Sequence, residues 1–91
     1  MIDEIREKIY KESFETALKM IEKRRQTEPG FSIDDLERLI QTEYVVQGND
    51  QFGRGEVFEI ELAATIAAHE VAFEQWRQEM AASSGTRKTS K

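Results

Sequence analysis

Residues 56–80 read EVFEIELAATIAAHEVAFEQWRQEM, and this stretch decides the fold class. Its bulky side chains recur every three or four residues and fall within about 80° of arc on a helix. These residues are Phe58, Leu62, Ile66, His69, Phe73, Trp76 and Met80. Small and β-branched residues take the opposite side: Val57, Ile60, Ala64, Ala67, Ala68 and Val71. A helix that is apolar on two sides needs two partners, which the rest of the chain or a second copy can supply.

A first helix is predicted over residues 2–27, where apolar residues form a wide band at helical spacing. The band consists of Ile2, Ile9, Ala17 and Met20, widened by Tyr10, Phe14, Leu18 and Ile21. This helix should end before Pro29, because the residue preceding a proline is pushed out of the α region. Pro29 and Gly30 then form the turn.

A second helix is predicted over residues 33–47, and its start is strongly marked. Ser32 and Asp35 have the spacing of a capping box, with Phe31 and Leu36 placed to form a hydrophobic staple. Gly48 is expected to end the helix as a left-handed C-cap. The predicted buried stripe is Ile33, Leu36, Ile40 and Tyr44, with Leu39 beside it.

These elements predict an all-α protein, either a three-helix bundle or an orthogonal three-helix domain, with helices at about 2–27, 33–47 and 56–80. Residues 1–80 form a single helical domain, since 91 residues are too few for two. Residues 81–91 contain no large apolar side chain, so we expect a disordered C-terminal tail.

Composition excludes several classes of function. The chain has no cysteine, which rules out disulfide scaffolds, thiol nucleophiles and cysteine zinc sites. The net charge is −5, and the excess of acids over bases lies in the second and third helices, which would repel a phosphate backbone. We therefore expect no nucleic acid partner. No apolar run reaches the roughly 18 residues of a membrane span, and the charged N-terminus is unlike a signal peptide, so we expect a cytoplasmic protein without a membrane partner.

The glycine-rich segment 48–55 offers a candidate anion site. Gly53, Arg54 and Gly55 precede a helix and can present backbone N–H groups and a guanidinium. The segment lacks the lysine and hydroxyl residue of a P-loop, and the glutamates of the following first turn would repel an anion. We favour a structural role, with glycines at positive φ and Phe52 packed in the core.

His69 is the only histidine, and it lies on the bulky side of the third helix. We interpret it as a buried, neutral histidine that is hydrogen-bonded to Tyr10, Tyr44 or a carboxylate. General-base chemistry would need a nucleophile and an orienting acid nearby. A di-metal bundle needs Glu-x-x-His motifs, which are absent, and the EF-hand spacing from Asp50 puts Phe52 at a ligand position. We predict no catalytic residue, no metal site and no cofactor.

The remaining candidates concern protein contacts. Trp76 and Met80, with Phe73 beside them, either cap the end of the bundle or anchor an interface. We predict a non-enzymatic protein-interaction or regulatory module that acts as a homo-oligomer, with a homodimer favoured over a monomer. The alternative is binding of a small ligand or anion at residues 48–55, and catalysis through His69 ranks third.

Overall fold

The computed structural model describes the backbone of residues 2–48 and 55–89 and the side chains of residues 3–48 and 55–83. Three helices account for almost all of this part of the chain: α1 is Ile2–Thr27, α2 is Ile33–Gly48 and α3 is Gly55–Thr89. No strand occurs in the described ranges. The predicted all-α, three-helix fold class is confirmed.

Two helix ends differ from the predicted ones. Gly48 is the last residue of α2 and not a left-handed cap, because Gly55, at φ 81°, is the only positive-φ residue among those described. α3 continues past the predicted end at Met80 to Thr89. Residues 81–83 are exposed, so Met80 marks the end of packing rather than the end of the helix. The division into a domain of residues 1–80 and a tail of residues 81–91 stays a prediction.

The start of α2 is held by the predicted capping box. The backbone N–H of Ser32 donates to Asp35 Oδ2 at 2.9 Å, and the backbone N–H of Asp35 donates to Ser32 Oγ at 3.2 Å. The bond from the Ser32 backbone, followed by the bond from Arg38, lowers the pKa of the Asp35 carboxyl. Phe31 and Leu36 belong to one buried cluster, as the staple requires.

α3 is the central helix and packs on both of the others. Arg6 of α1 pairs with Glu56 at 2.5 Å, and Arg25 pairs with Glu79 at 2.7 Å. Because these pairs join corresponding ends of the two helices, α1 and α3 run parallel.

α2 runs antiparallel to α3. The C-terminal part of α2 meets α3 at His69, whereas the turn before α2 meets α3 farther along, at Trp76. The backbones of α1 and α2 do not approach each other closely in the described part of the chain, although side chains of both helices belong to one core cluster. Each of them therefore depends on α3 for its main packing surface.

The core lies where α2 crosses the other two helices. Its buried cluster is Ile21, Phe31, Leu36, Ile40 and Ala72, and the partly buried side chains packed on it are Leu18, Leu39, Phe73 and Trp76. Leu36 is completely buried. Nearer the N-terminal ends of α1 and α3, Ile5 is 60% exposed and Val57 is more than half exposed. The bundle is therefore closed at one end and thin at the other.

Three residues of α1 and α2 lie outside the core faces predicted for them, and Phe58 of α3 is 38% exposed as well. Met20 is 60% exposed and Tyr10 is also exposed, because the buried side of α1 is centred on Ala17 and Ile21. Tyr44 is exposed as well, so it does not continue the buried stripe of α2. None of the described helices is both long enough and apolar enough to cross a membrane.

The small-residue side of α3 is divided by the packing. Ala64 and Ala68 have no exposed surface, so the chain itself covers that part of the helix. Ala67 is half-buried, and Val71 is 37% exposed. Part of the side predicted to need a second partner is therefore covered within one chain, and part of it is not.

Candidate functional site

A groove of about 500 Å³ runs between α1 and α2, with α3 as its floor. It exists because α1 and α2 each pack on α3 while their backbones stay apart from each other. Ala17, Met20 and Ile21 form the α1 wall, Leu39 belongs to the α2 wall, and His69 lies on the floor. Its volume is in the range of small-molecule sites.

His69 and Glu43 form a buried polar pair in this groove. His69 Nδ1 lies 2.8 Å from Glu43 Oε1, and the side chains are only 8% and 13% exposed. An ionised carboxylate can only accept hydrogen bonds, so this contact places the imidazole proton on Nδ1. The interpretation of His69 as a buried histidine bonded to a carboxylate is confirmed, and Glu43 supplies that carboxylate.

The other imidazole nitrogen of His69, Nε2, is not bonded to any of the described residues. Within the described part of the chain, no donor or acceptor contacts Nε2, although the residue is only 7% exposed. Buried polar atoms are nearly always hydrogen-bonded in native proteins. His69, which lines the groove, therefore has one ring nitrogen whose hydrogen-bonding capacity no described residue uses.

Charged and hydroxyl side chains surround the apolar walls of the groove. Glu12 and Glu61 lie on its lining, as does Arg24, which is paired with Glu28 at 3.3 Å. None of the hydroxyls on the lining bonds to His69, so the described residues do not form a nucleophile–base pair. These hydroxyl residues are Ser13, Thr16 and Thr65.

Aromatic and guanidinium groups alternate at the closed end of the bundle. Phe31 and Trp76 pack with ring centroids 5.7 Å apart, Arg24 lies 4.0 Å from the Phe31 centroid, and Arg25 lies 4.1 Å from the Trp76 centroid. Trp76 is thus already partly covered by its own chain. This contact corresponds to the first of the two alternatives for Trp76, in which it caps the end of the bundle.

The other two candidate interface residues differ in exposure. Phe73 is half-buried and packs on the core cluster, whereas Met80 is 50% exposed. The geometry brings Phe73 and Trp76 together around the core and leaves Met80 at its edge. A role for these three residues in an interface stays a prediction.

A smaller groove of about 260 Å³ lies on the other side of α2. Tyr44 donates a hydrogen bond to Glu70 there, and this bond raises the pKa of the Tyr44 hydroxyl. Glu74, on the same lining, accepts bonds from Arg77 and Gln78, and the Arg77 bond is the main cause of its lowered pKa. These groups already bond to one another, which distinguishes the smaller groove from the larger one.

The candidate anion site lies almost wholly outside the described residues. Gly53 and Arg54 fall in the segment 49–54, and so does Phe52, which was expected in the core. Gly55 is the first residue of α3, and its φ of 81° agrees with the structural role assigned to the glycines. No group of three or more metal-ligating side chains occurs among the described side chains, those of residues 3–48 and 55–83.

Sequence reasoning missed Glu43 as the partner of His69. A usable signal was present, because residue 43 lies about 20° from Leu36 around the helix, whereas Tyr44 lies about 80° away. A glutamate so close to the centre of a buried stripe predicts a polar partner on the facing helix. The only histidine lies on that facing helix.

No protein-family model matches the chain, and neither the curated proteins nor the solved structures gave a match.

Proposed function

We propose that the protein is a non-enzymatic interaction module that self-associates through α3. The carrying observation is an apolar strip on α3 that its own chain leaves partly uncovered. We call it the back strip: Ile60, Ala63, Ala67 and Val71. The first three of these residues are half-buried, and Val71 is 37% exposed. The strip is therefore accessible to a partner along its whole length.

The spacing of the back strip suits helix–helix packing. Its positions follow one another in steps of three and four, so they fall within about 80° of arc on the helix. Such spacing keeps one side of a helix facing a neighbouring helix. The two alanines at the centre of the strip allow two backbones to approach closely. A helix of a second molecule fits this surface better than an irregular chain would.

The strip is self-complementary when two copies run antiparallel about Ala67. Ala67 then meets its own copy, and Ala63 of each molecule lies opposite Val71 of the other. Each contact away from the axis occurs twice, as a two-fold interface requires. Ala63 thus faces the larger Val71, and the paired Ala67 residues let the two backbones approach closely at the axis.

The charges beside the strip also favour the antiparallel direction. Glu56 and Glu74 lie on the same side of α3, about 20° from Ala67. A parallel pair would place each glutamate opposite its own copy, and like charges in that position repel. The antiparallel pair keeps these like charges apart: Glu56 faces the amide of Gln78, and Glu74, which stays paired with Arg77, lies opposite Ile60 at the end of the strip. We propose a second copy, antiparallel, as the occupant.

Charge substitutions at the two facing positions test both the dimer and its direction. Ala63→Lys and Val71→Glu should each weaken self-association at least about tenfold, because each buries an unpaired charge against an apolar side chain. Mixing the two variants should restore the dimer, since the introduced lysine of one chain then faces the introduced glutamate of the other. Sedimentation equilibrium over a range of concentrations measures all three samples.

The matched control is Val45→Glu, which makes the same change as Val71→Glu at a valine of α2 that is 66% exposed. It should leave association unchanged. A wild-type protein that is monomeric at every concentration would refute the proposal. Dimerisation that both single variants leave intact would place the interface elsewhere. If both variants are monomeric and mixing does not restore the dimer, the antiparallel arrangement is wrong.

We propose a cytoplasmic location and no nucleic acid partner on the basis of composition. A chain without cysteine and with a net charge of −5 suits a reducing compartment and disfavours binding to phosphate backbones. The non-enzymatic assignment is supported by the hydrogen bonds around His69, which include no nucleophile among the described residues.

Binding of an anion at residues 48–55 stays the alternative, with Arg54 as the contact. Its test is the thermal shift of the protein on adding phosphate. An Arg54→Ala protein whose shift equals that of the wild type would exclude the alternative.

A further inference from the structure

The α1–α2 groove has a feature that self-association does not explain. His69 is more than nine-tenths buried, lines the groove and has no partner for Nε2 among the described side chains and backbone groups. Leaving a buried polar atom unbonded is unfavourable, so Nε2 requires a hydrogen-bond partner that none of the described residues supplies. The back strip lies on another side of α3, so the two surfaces are independent.

Glu43 determines what Nε2 can bind. Its carboxylate accepts the proton of Nδ1 over 2.8 Å, so the imidazole in its neutral form, which is the form that acts above neutral pH, presents a lone pair at Nε2. The complementary group is a hydrogen-bond donor, namely an O–H or an N–H. In this tautomer a carbonyl or ether oxygen brings no hydrogen for the bond.

The charged side chains of the groove restrict the charge that a ligand can carry. Three carboxylates line it, those of Glu12, Glu43 and Glu61, against the single guanidinium of Arg24. That guanidinium is already paired with Glu28 and lies over an aromatic ring. An anionic ligand would therefore meet a net negative lining whose one described cation is already committed.

The walls of the groove determine the body of the ligand, which should be apolar. Ala17, Met20, Ile21 and Leu39 present aliphatic surface around the polar floor. Burying apolar ligand surface against such walls is favourable, because it removes that surface from water. We propose that the groove binds a small molecule with an apolar body, one O–H or N–H donor to His69 Nε2, and no negative charge.

Four probes with the same aromatic body isolate the donor: phenethyl alcohol, phenethylamine, phenylacetate and ethylbenzene. Their affinities for the 91-residue chain are measured by nitrogen-15 NMR titration above neutral pH. The alcohol or the amine should bind about tenfold more tightly than ethylbenzene, since one hydrogen bond is worth about that factor. Phenylacetate should bind most weakly. The difference between alcohol and amine shows whether the donor also carries charge.

A double variant separates recognition from folding. His69→Phe with Glu43→Leu replaces both polar partners by apolar groups, which avoids leaving one of them buried alone. This protein should still fold, and its preference for the alcohol or amine over ethylbenzene should disappear. Tyr44→Phe is the control, because it removes a hydroxyl from the groove on the other side of α2 and should leave every affinity unchanged.

The imidazole nitrogens give a second readout that does not depend on affinity. Long-range proton–nitrogen spectra should show Nδ1 protonated and Nε2 unprotonated in the free protein, and Nε2 should shift when the alcohol or amine binds. The proposal is overturned if none of the probes binds, if ethylbenzene or phenylacetate binds as well as the donor probes, or if the double variant keeps the donor preference. A proton on Nε2 in the free protein also overturns it.

Discussion

Two neighbouring alanines of α3, Ala67 and Ala68, point to surfaces that differ in packing. Ala68 has no exposed surface, and Ala64, one turn before it, is equally covered. Ala67 is only half-buried, as is Ala63 one turn before it. The same residue type therefore lines both a surface that the chain completes by itself and a surface that it leaves open. We call these the front and the back of α3.

The difference arises from the number of helices in the chain. α3 is the central helix, and α1 and α2 are the two helices that pack on it. Two neighbours cannot surround a helix, so one side of α3 stays without a covering helix. Apolar residues on the front stabilise the monomer, since folding removes them from water. Apolar residues on the back contribute comparable stabilisation only when another molecule covers them and removes them from water.

The largest loss of stability should come from Leu36→Ala. Leu36 lies on α2, one of the two helices that cover the front of α3. Leu36 is fully buried in the core cluster, so its truncation should lower the free energy of unfolding by about 2–5 kcal/mol. Urea denaturation followed by circular dichroism measures this change. A loss below about 1 kcal/mol would mean that α2 contributes little to the front.

The paired substitutions Ala68→Leu and Ala67→Leu compare front and back directly. Ala68→Leu forces three extra carbon atoms into a filled space and should lower the free energy of unfolding by about 1–3 kcal/mol. Ala67→Leu enlarges a side chain that can extend into solvent, so the monomer should change by less than about 0.5 kcal/mol. Urea denaturation at a concentration where the protein is monomeric measures both. Equal losses would remove the distinction between the two sides.

Two glycine substitutions should change the stability by less. They measure backbone effects that involve neither the front nor the back of α3. Gly55→Ala forces a side chain into the left-handed region at φ 81° and should destabilise the protein by about 1 kcal/mol. Gly48→Ala lies in ordinary helical conformation with open space around the added methyl, so it should stabilise by about 0.5 kcal/mol. Thermal unfolding checks these signs, and the same sign for both variants would contradict the backbone assignment.

The smallest change in stability should come from the capping box at the start of α2, one of the helices that cover the front of α3. Because folding lowers the pKa of Asp35 from its ordinary 3.8, this carboxylate stabilises the fold above that pH, and the stabilisation is lost as pH falls through the lowered pKa. The difference in unfolding free energy between wild type and Asp35→Asn should therefore shrink on acidification.

Urea denaturation over a pH series tests this dependence. The carboxylates of Glu74 and Glu79, whose pKa values are also lowered, are present in both proteins, so their contributions cancel in the comparison. A difference that stays constant into acid would show that the charge of Asp35 is irrelevant to the cap.

Local signals in the sequence predicted the helices well. Ser32, Asp35, Phe31 and Leu36 mark the start of α2 through short-range geometry, which depends on residues a few positions apart. The proline after α1 acts in the same local way. The end of α3 was harder to predict, because the residues after Met80 contain no proline to stop a helix.

The groove and the back strip could not be predicted in the same way. Both depend on where α1 and α2 lie around α3, a tertiary relation that no periodicity encodes. The periodicity of α3 grouped Ala64, Ala67 and Ala68 on one side, and only the packing separates them. His69 was identified, but its partner Glu43 was not, since the stripe of α2 was assigned to Tyr44 instead.

In the proposed dimer, a second copy covers the back strip and Ala67 faces its own copy. Disulfide trapping at this two-fold axis tests that arrangement, and the chain has no native cysteine that could form competing disulfides. Under mild oxidation, Ala67→Cys should form a covalent dimer at least about tenfold faster than Val45→Cys, because the dimer holds the two thiols within bonding distance. Val45 is 66% exposed, so its thiol has the freer access to oxidant. Cross-linking of Ala67→Cys that is no faster than that of Val45→Cys would contradict the account.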